Sequence, residues 1–384
     1  MIPKLFSLLL PYFVCLFSLS FAQTHFTIPQ NVWRISLEQG ISSGNWKGHD
    51  GKDGWNNFTY QLNGIDYTIS QEWKRSITTQ SFLIEYGFTD RATFVLYIPK
   101  FQRYEQIHSW SISSDSLLTS MDNMMNQYFS KLKSNSGLGN VSIGMNTLIF
   151  GNPAWRGGKN KYSLYGGIDA TFPFGEPLKK YYPKDVDTKG IPNQFKHLPI
   201  SNGLTQWRGK VFGELYRKVW GRLVNVNWSV SLSSFSREII NPSYSFLWIQ
   251  ETGVDSISRA IGNAVLHEQG GQVVGAIQGQ MEMLPQRIFF SIGMDWMISG
   301  QDKYFSRNDE WDSWMASRKN YDTKKAMARQ FVKFNFLNVD PFKQIGPLPF
   351  EFEIGLQWYV PFLTYHTYGF TSSWIRISSY FQAW

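Results

Sequence analysis

The stretch Phe350-Glu351-Phe352-Glu353-Ile354-Gly355-Leu356-Gln357-Trp358-Tyr359-Val360 alternates strictly in polarity. Phe350, Phe352, Ile354, Leu356, Trp358 and Val360 share one face of an extended chain, and Glu351, Glu353, Gly355, Gln357 and Tyr359 share the other. Successive side chains of a strand point to opposite faces, so the pattern predicts a strand with one apolar and one polar side. Length decides between architectures. Strands of soluble sandwiches average about five or six residues, whereas a tilted strand crossing a bilayer needs about 9–11.

The same pattern returns twice. Between 223 and 233, Val224, Val226, Trp228, Val230 and Leu232 alternate with Asn225, Asn227, Ser229, Ser231 and Ser233. Between 288 and 298, Ile288, Phe290, Ile292, Met294, Trp296 and Ile298 alternate with Phe289, Ser291, Gly293, Asp295 and Met297. Weaker segments complete a set of twelve strands, expected near 31–42, 76–87, 92–103, 138–150, 161–173, 205–217, 222–235, 264–282, 287–299, 323–337, 349–360 and 370–384. Their connections alternate in length. Those near 87–91, 151–160, 217–222, 283–287 and 338–348 are short, and those near 43–75, 104–137, 174–204, 236–263 and 300–322 are long; the last, 361–369, is short where a long one belongs. Short periplasmic turns opposite long external loops are what an outer-membrane barrel requires. The fold class expected is therefore all-β: a transmembrane, antiparallel, up-and-down β-barrel of about 12 strands.

The two ends of the chain agree with this. Lys4 gives a positive start, Leu5 to Phe21 is largely apolar, and Ser20-Phe21-Ala22 is a small-x-small cleavage site. Residues 1–22 are thus expected to be a signal peptide and 23–384 the barrel. The lone cysteine, Cys15, lies inside that leader, so no disulfide or thiolate metal site is expected beyond it. At the other end a strand-like stretch with Tyr380 and Phe381 finishes on Trp384. Barrel proteins are similar in ending on an aromatic that the assembly machinery reads. The 30 Phe, 19 Tyr and 16 Trp suit a lipid-facing belt with interfacial girdles. Past the leader there is no apolar run of the roughly 20 residues a transmembrane helix needs. The net charge of +8 is spread without a compact basic block, which argues against nucleic acid as a partner.

If the apolar face meets lipid, the other face lines the interior. That assigns Arg34, Glu38, Glu85, Lys100, Asp169, Asp295, Lys325, Arg329, Lys333, Glu351, Glu353 and Arg376 to the lumen or its rims, along with Arg208, Lys210 and Glu214. An Arg or Lys facing lipid at mid-depth costs about 2–4 kcal/mol. Lys325, Arg329 and Lys333 lie on one strand and Glu351 and Glu353 on the next, which suggests a cross-strand ionic ladder. Such a ladder is compatible with an open pore having opposed charged walls or with a salt-bridged plug. Barrel size leaves both open, because about eight strands fill their own interior while sixteen to eighteen enclose a channel.

Three other features of the sequence bear on function. Leu117, Leu118, Met121, Met124, Met125, Tyr128 and Leu132 recur at helical spacing between Asp115 and Leu132, which predicts a short helix in an extracellular loop, capped by Ser114 or Asp115. Asn45, Asp50, Asp53, Asn56 and Asn57 offer oxygens in the first loop, but their spacing fits no helix-loop-helix calcium pattern, and a plain solvated loop is the preferred reading. His197 precedes Ser201-Asn202-Gly203, yet the gap is too long for the His-x-Ser-Asn pattern of barrel phospholipases, and His108-Ser109 lacks the Asn. No catalytic residue, metal or cofactor is expected, and the chain is not expected to be an enzyme.

Glu85-Tyr86-Gly87-Phe88-Thr89-Asp90-Arg91 starts a tight turn, followed by a strand ending in Ile98-Pro99. Next come Gly137-Leu138-Gly139-Asn140-Val141-Ser142-Ile143-Gly144, then Tyr165-Gly166-Gly167-Ile168 and Phe172-Pro173-Phe174-Gly175. This order, over about 76–176, resembles the bacterial outer-membrane family named for the meta-cleavage pathway of phenol degradation; Asn140 stands where that family usually has Asp. The resemblance implies a barrel and passage of small molecules, and it carries over no substrate or catalytic residue. The function expected is passive transport of small solutes across a Gram-negative outer membrane. The alternative is a closed barrel with a structural, adhesive or sensory role through its loops, and a lipid hydrolase is a more distant one. The partners expected are outer-membrane lipid, small-molecule solutes and the outer-membrane assembly machinery.

Overall fold

The computed structural model describes residues 26–48, 51–53, 55–62, 65–112, 131–153, 162–177, 197–240, 265–285, 287–317, 323–338 and 350–382. Their elements, in chain order, are strands β1 (Val32–Lys47), β2 (Trp55–Leu62), β3 (Ile65–Thr89), β4 (Ala92–Ile112), β5 (Leu132–Leu138), β6 (Val141–Phe150), β7 (Tyr162–Phe172), β8 (Gln206–Val219), β9 (Arg222–Phe235), β10 (Glu238–Ile240), β11 (Val265–Glu268), β12 (Gln272–Leu284), β13 (Ile288–Ser299) and β14 (Lys303–Phe305). Helix α1 (Asp309–Ser317) and strands β15 (Lys325–Leu337), β16 (Phe350–Tyr359) and β17 (Thr367–Gln382) follow.

Twelve strands close a barrel. Neighbours run β1-β3-β4-β6-β7-β8-β9-β12-β13-β15-β16-β17, every pair is antiparallel, and β17 returns to β1 from Val32↔Gln382 to Lys47↔Thr367. Closure matters physically, because an open sheet edge would leave unpaired backbone groups in hydrocarbon. The alternation read from the sequence settles as expected. On β16, Ile354, Leu356 and Trp358 are exposed on the outside, while Glu351, Glu353 and Gln357 are buried inside. On β9, Val230 and Leu232 face out while Asn225, Asn227, Ser231 and Ser233 are buried. With its apolar outer face and closed ladder, the chain is an outer-membrane β-barrel.

One barrel end holds the start of β1, the end of β17 and, among the described residues, the tight β3–β4 and β8–β9 connections. The β8–β9 hairpin turns in two residues, Trp220 at φ 50° and Gly221 at φ 76°. Positive φ at both is the geometry whose twist matches flanking strands, and it is usually built from Asn-Gly. Trp220 takes the first position and is 96% exposed at the tip.

The other end departs from the expected loops. Strands β3 and β4 run for 25 and 21 residues, well past what a bilayer needs, and β2 pairs onto the projecting part of β3. The region 43–75 is thus largely sheet rather than loop. The segment expected as one strand near 138–150 begins earlier: β5 and β6 both pair with β4 and are separated at Gly139–Asn140. Pro99, which has no N–H to give the ladder, sits at that break and accepts from Gly139 N at 2.7 Å. The segment expected at 264–282 divides as well. β11 joins β10 and β14 in a small separate sheet, and β12 enters the barrel after Gly270-Gly271. A side chain at Gly270 would collide with the Gly300 carbonyl, and Gly300 N donates to Gly271 O at 2.8 Å.

The helix expected at 115–132 falls mostly on 113–130, outside the described residues; its last position, Leu132, opens β5 instead. A helix does form in the loop after β14. Asn308 caps α1 by accepting from Trp311 N at 2.9 Å, and Asp309, Glu310 and Asp312 place negative charge in the first turn.

Candidate functional site

The barrel interior gathers most of the ionisable residues named from the sequence, and pairs them across neighbouring strands. Arg34 on β1 grips Glu85 on β3 with Nε–Oε2 at 2.5 Å and Nη2–Oε1 at 2.7 Å, their side chains 2% and 0% exposed. Higher on β1, Glu38 accepts two contacts from Arg376 of β17, at 2.5 and 2.9 Å. Asp295 on β13 holds Arg329 on β15 in a two-point contact of 2.8 Å each, and Gln357 Nε2 adds a third at 2.8 Å. Two-point arginine–carboxylate geometry is the strong form of this interaction.

The ladder expected between Lys325, Arg329, Lys333 and Glu351, Glu353 does not form. The β15–β16 register sets Lys333 opposite Gly355 and Arg329 opposite Tyr359, while Asn335 and Leu337 face Glu353 and Glu351. Asn335 Nδ2 donates to both glutamates at 2.9 Å. Glu351 also accepts from Tyr380 Oη at 3.0 Å, and Glu353 from Trp374 Nε1 at 2.6 Å. Gly355 makes the last contact possible, since a Cβ there would overlap the Trp374 ring. Lys333 turns the other way and donates to Gln278 Oε1 at 2.7 Å. Lys325 is half-buried on the same face of β15, opposite Ser299.

Asp169 on β7 lies 3.1 Å from Lys210 Nζ and 3.5 Å from Arg208 Nε, both on β8. Glu214, two inward positions past Lys210 on β8, accepts from the hydroxyls of Tyr165 and Tyr216. Lys100 departs from its expected place. On β4 the buried set is Thr93, Val95 and Pro99, and Lys100 is exposed on the opposite face, near the outer Gln39, Gln80 and Gln102. A lysine at that level keeps its ammonium in the polar boundary while its stem lies along apolar surface.

The residues preceding β1 carried no motif, yet they enter the barrel at the turn end. The Phe26 ring packs on Tyr165 and Phe212, with centroids at 5.5 and 4.6 Å. Ile28 is fully buried and its N donates to Thr93 Oγ1 at 3.1 Å, while Asn146 Nδ2 donates to Phe26 O at 3.4 Å. Tyr165, Phe212, Thr93 and Asn146 are all inward residues of β4, β6, β7 and β8, so the segment lies inside the lumen. Gly87 permits its entry: a Cβ there would strike Pro29 O. The only sequence signal was the apolar cluster Phe26-Thr27-Ile28-Pro29 between the leader and the first strand.

Beyond the lumen, His267 of β11 is held between Glu238 at 2.8 Å and Asp302 at 3.2 Å and stacks on Tyr304. Burial alone would lower its pKa, but the two carboxylates outweigh burial and raise it to about 9. His197 contacts Pro177 O at 2.9 Å, and Ser201 Oγ accepts from Gly203 N at 2.9 Å. Asp53, one of the loop oxygens, pairs with Lys47, and Asp50 lies outside the described residues.

No protein-family model matches the chain, and no curated protein sequence does. Among solved structures, the chain resembles an outer membrane channel from Pseudomonas putida F1, with 12% identity, a TM-score of 0.52, and coverage of 95% of this chain and 100% of that one. A second similarity is to the translocator domain of the autotransporter NalP from Neisseria meningitidis, with 10% identity, a TM-score of 0.37, and coverage of 91% and 88%. The first likeness concerns the fold.

Proposed function

We propose that the chain is a passive channel for small molecules, its lumen narrowed at the turn end by residues 26–31. The observation that carries this reading is the place of Phe26 and Ile28 inside a twelve-stranded wall. A barrel near eight strands fills itself with side chains. Here the strands enclose more room than they fill, and the remainder holds a chain segment and a cavity of about 260 Å³. A segment tied in by one ring cluster and a few hydrogen bonds is displaceable, whereas a side-chain core is not. The resemblance to a channel of the same fold supports this reading. Outer-membrane lipid around the apolar belt, the assembly machinery and small solutes are the partners that go with it.

The paired interior favours a second reading. Arg34–Glu85 and Asp295–Arg329 brace the wall, as a closed barrel acting through its loops would require. Planar-bilayer recording separates the two. A channel gives measurable unitary conductance that rises when residues 23–29 are deleted, and liposome swelling then shows solute entry down a gradient. A closed barrel stays silent with and without those residues.

A further inference from the structure

At the loop end, where β3, β4 and β5 project past the membrane-spanning part of the wall, three polar residues form one cross-strand row. Arg75 of β3 lies directly opposite Gln106 of β4, and Gln106 lies directly opposite Lys133 of β5. Direct partners in an antiparallel ladder point to the same face. That face is the inner one, since Tyr104, Gln106 and His108 of β4 are all buried. Two strand spacings put the Cα atoms of Arg75 and Lys133 about 10 Å apart. Both side chains are half-buried, so they border the mouth of the barrel and keep access to solvent.

The arginine is held in a fixed pose. Its Nε donates to Gln106 Oε1 at 2.7 Å, and Tyr368 Oη donates to the same oxygen at 2.9 Å. The guanidinium lies 4.2 Å from the centre of the Tyr368 ring and 5.3 Å from that of Tyr104. A cation ordered before its ligand arrives spares the ligand that entropic cost. With its oxygen taken, Gln106 turns Nε2 to His108 Nε2, and His108 stacks on Trp73 with ring centres 5.0 Å apart. Burial, and then the charges of Lys133 and Arg75, lower the His108 pKa to about 3. The histidine is therefore neutral near pH 7, and the row carries two positive charges.

The lumen arginines Arg34, Arg329 and Arg376 each hold a carboxylate. Among the described residues, no carboxylate pairs with Arg75 or Lys133. Glu72 and Glu105 alternate with the inward residues and so lie on the outer face, where Glu105 holds Arg103. Glu38, the partner of Arg376, is six residues along β1 from Gly44, which pairs with Arg75; that is about 20 Å of strand. Glu176 reaches the wall one inward position away from Lys133, where it accepts from Asn135 Nδ2 at 3.0 Å and faces His197 at 3.7 Å. Burial and the Arg75 charge lower the Lys133 pKa to about 8, as expected for a cation beside a like charge with no counter-ion.

We propose that this row is a binding site, at the loop-end mouth, for a small solute carrying a doubly charged oxyanion: a phosphate monoester held between Arg75 and Lys133. Two positive charges call for two negative ones. The planar arginine fork matches phosphate oxygens, and the lysine adds a point charge. A singly charged solute would leave one cation uncompensated. Phosphates of lipid headgroups lie outside the wall and do not reach its inner face. The inference deepens the channel reading by naming a class of solute and rests on that reading for its biological use, but the site itself does not require conduction.

The test uses three probes with one small body and different charge: glycerol phosphate, glycerate and glycerol, at about −2, −1 and 0 near neutral pH. Isothermal titration of the folded full-length barrel in zwitterionic detergent should show saturable binding of glycerol phosphate, at least tenfold weaker binding of glycerate, and none of glycerol. Lys133→Gln and Arg75→Gln should each weaken glycerol phosphate at least tenfold, and Arg75→Lys should keep part of the affinity. Lys100→Gln, on the outer face, should leave it unchanged. Heat-modifiable gel mobility checks folding, and Lys133→Gln, which breaks no pairing, remains decisive if an Arg75 variant fails to fold. Equal binding of the three probes, no saturable binding of glycerol phosphate, no effect of Lys133→Gln, or an equal loss with Lys100→Gln overturns the proposal. Conductance without glycerol phosphate binding overturns the site and leaves the channel standing. Glycerol phosphate binding in a barrel that never conducts supports the site and removes the channel.

Discussion

Removing the charge of Glu85 while keeping its shape, by Glu85→Gln, should be among the most damaging single changes in this barrel. Arg34 and Glu85 are 2% and 0% exposed, so water cannot replace the lost partner. The native pair makes two charge-assisted hydrogen bonds, at 2.5 and 2.7 Å. A glutamine oxygen retains one neutral acceptor. One bond to a charged group is lost, worth about 1.5–3 kcal/mol, and the other is weakened. Breaking a buried pair from one side costs about 3–5 kcal/mol in general. Here the Tyr380 ring, 5.9 Å from the guanidinium, offers some compensation, so the lower end, about 3 kcal/mol, is expected. The double change Arg34→Met with Glu85→Gln removes the stranded charge and should recover to within about 1 kcal/mol of the native chain. Urea titration of folding into phospholipid vesicles, read by tryptophan fluorescence and heat-modifiable gel mobility, measures both. A loss below 1 kcal/mol for Glu85→Gln, or a double variant no better than the single one, would refute the reasoning.

Other expectations follow from particular residues. Trp220→Asn should stabilise the barrel by about 0.5–1 kcal/mol, because Trp220 holds φ 50° in a turn that favours Asn-Gly, and the same urea titration detects it. For His267, a folded pKa raised to about 9 means that protonation stabilises the β10–β11–β14 sheet fully below the unfolded value near 6.5; that contribution is lost as pH rises through 9. An NMR titration of His267 should show its midpoint near 9, and Asp302→Asn should move it down. With Arg307→Cys and Trp220→Cys made singly, an impermeant thiol reagent should label the first in intact cells and the second only once the outer membrane is opened.

The faces of the strands were legible because lipid and lumen impose opposite chemistry on alternate residues, and a one-residue slip would invert every assignment. Register was not legible. Alternation fixes which face Lys333 and Glu353 share but not how far β15 slides along β16, so the expected ladder became separate contacts to Gln278 and Asn335. Lys100 departs from the polar-inward pattern because the inward residues of β4, such as Val95 and Tyr97, are themselves apolar or aromatic. A rule that sends polar residues inward reads that strand upside down. The place of the Phe26–Ile28 segment is not legible for another reason: its burial is created by tertiary enclosure, and no local period announces it. The helix at Asp309–Ser317 is signalled mainly by its Asn308 cap and acidic first turn, since its apolar stripe is short.

The alternation itself is open to direct measurement. Cys15 is the chain's one cysteine, and it lies in the segment read as a cleaved leader, so single cysteines carrying a nitroxide label can be placed at each position from 350 to 359 of β16 in vesicles. Collision with oxygen, which concentrates in lipid, should peak at 352, 354, 356 and 358 and fall at 351, 353, 355 and 357. A flat profile, or maxima on the glutamate positions, would contradict a barrel with lipid outside and a charged lumen within.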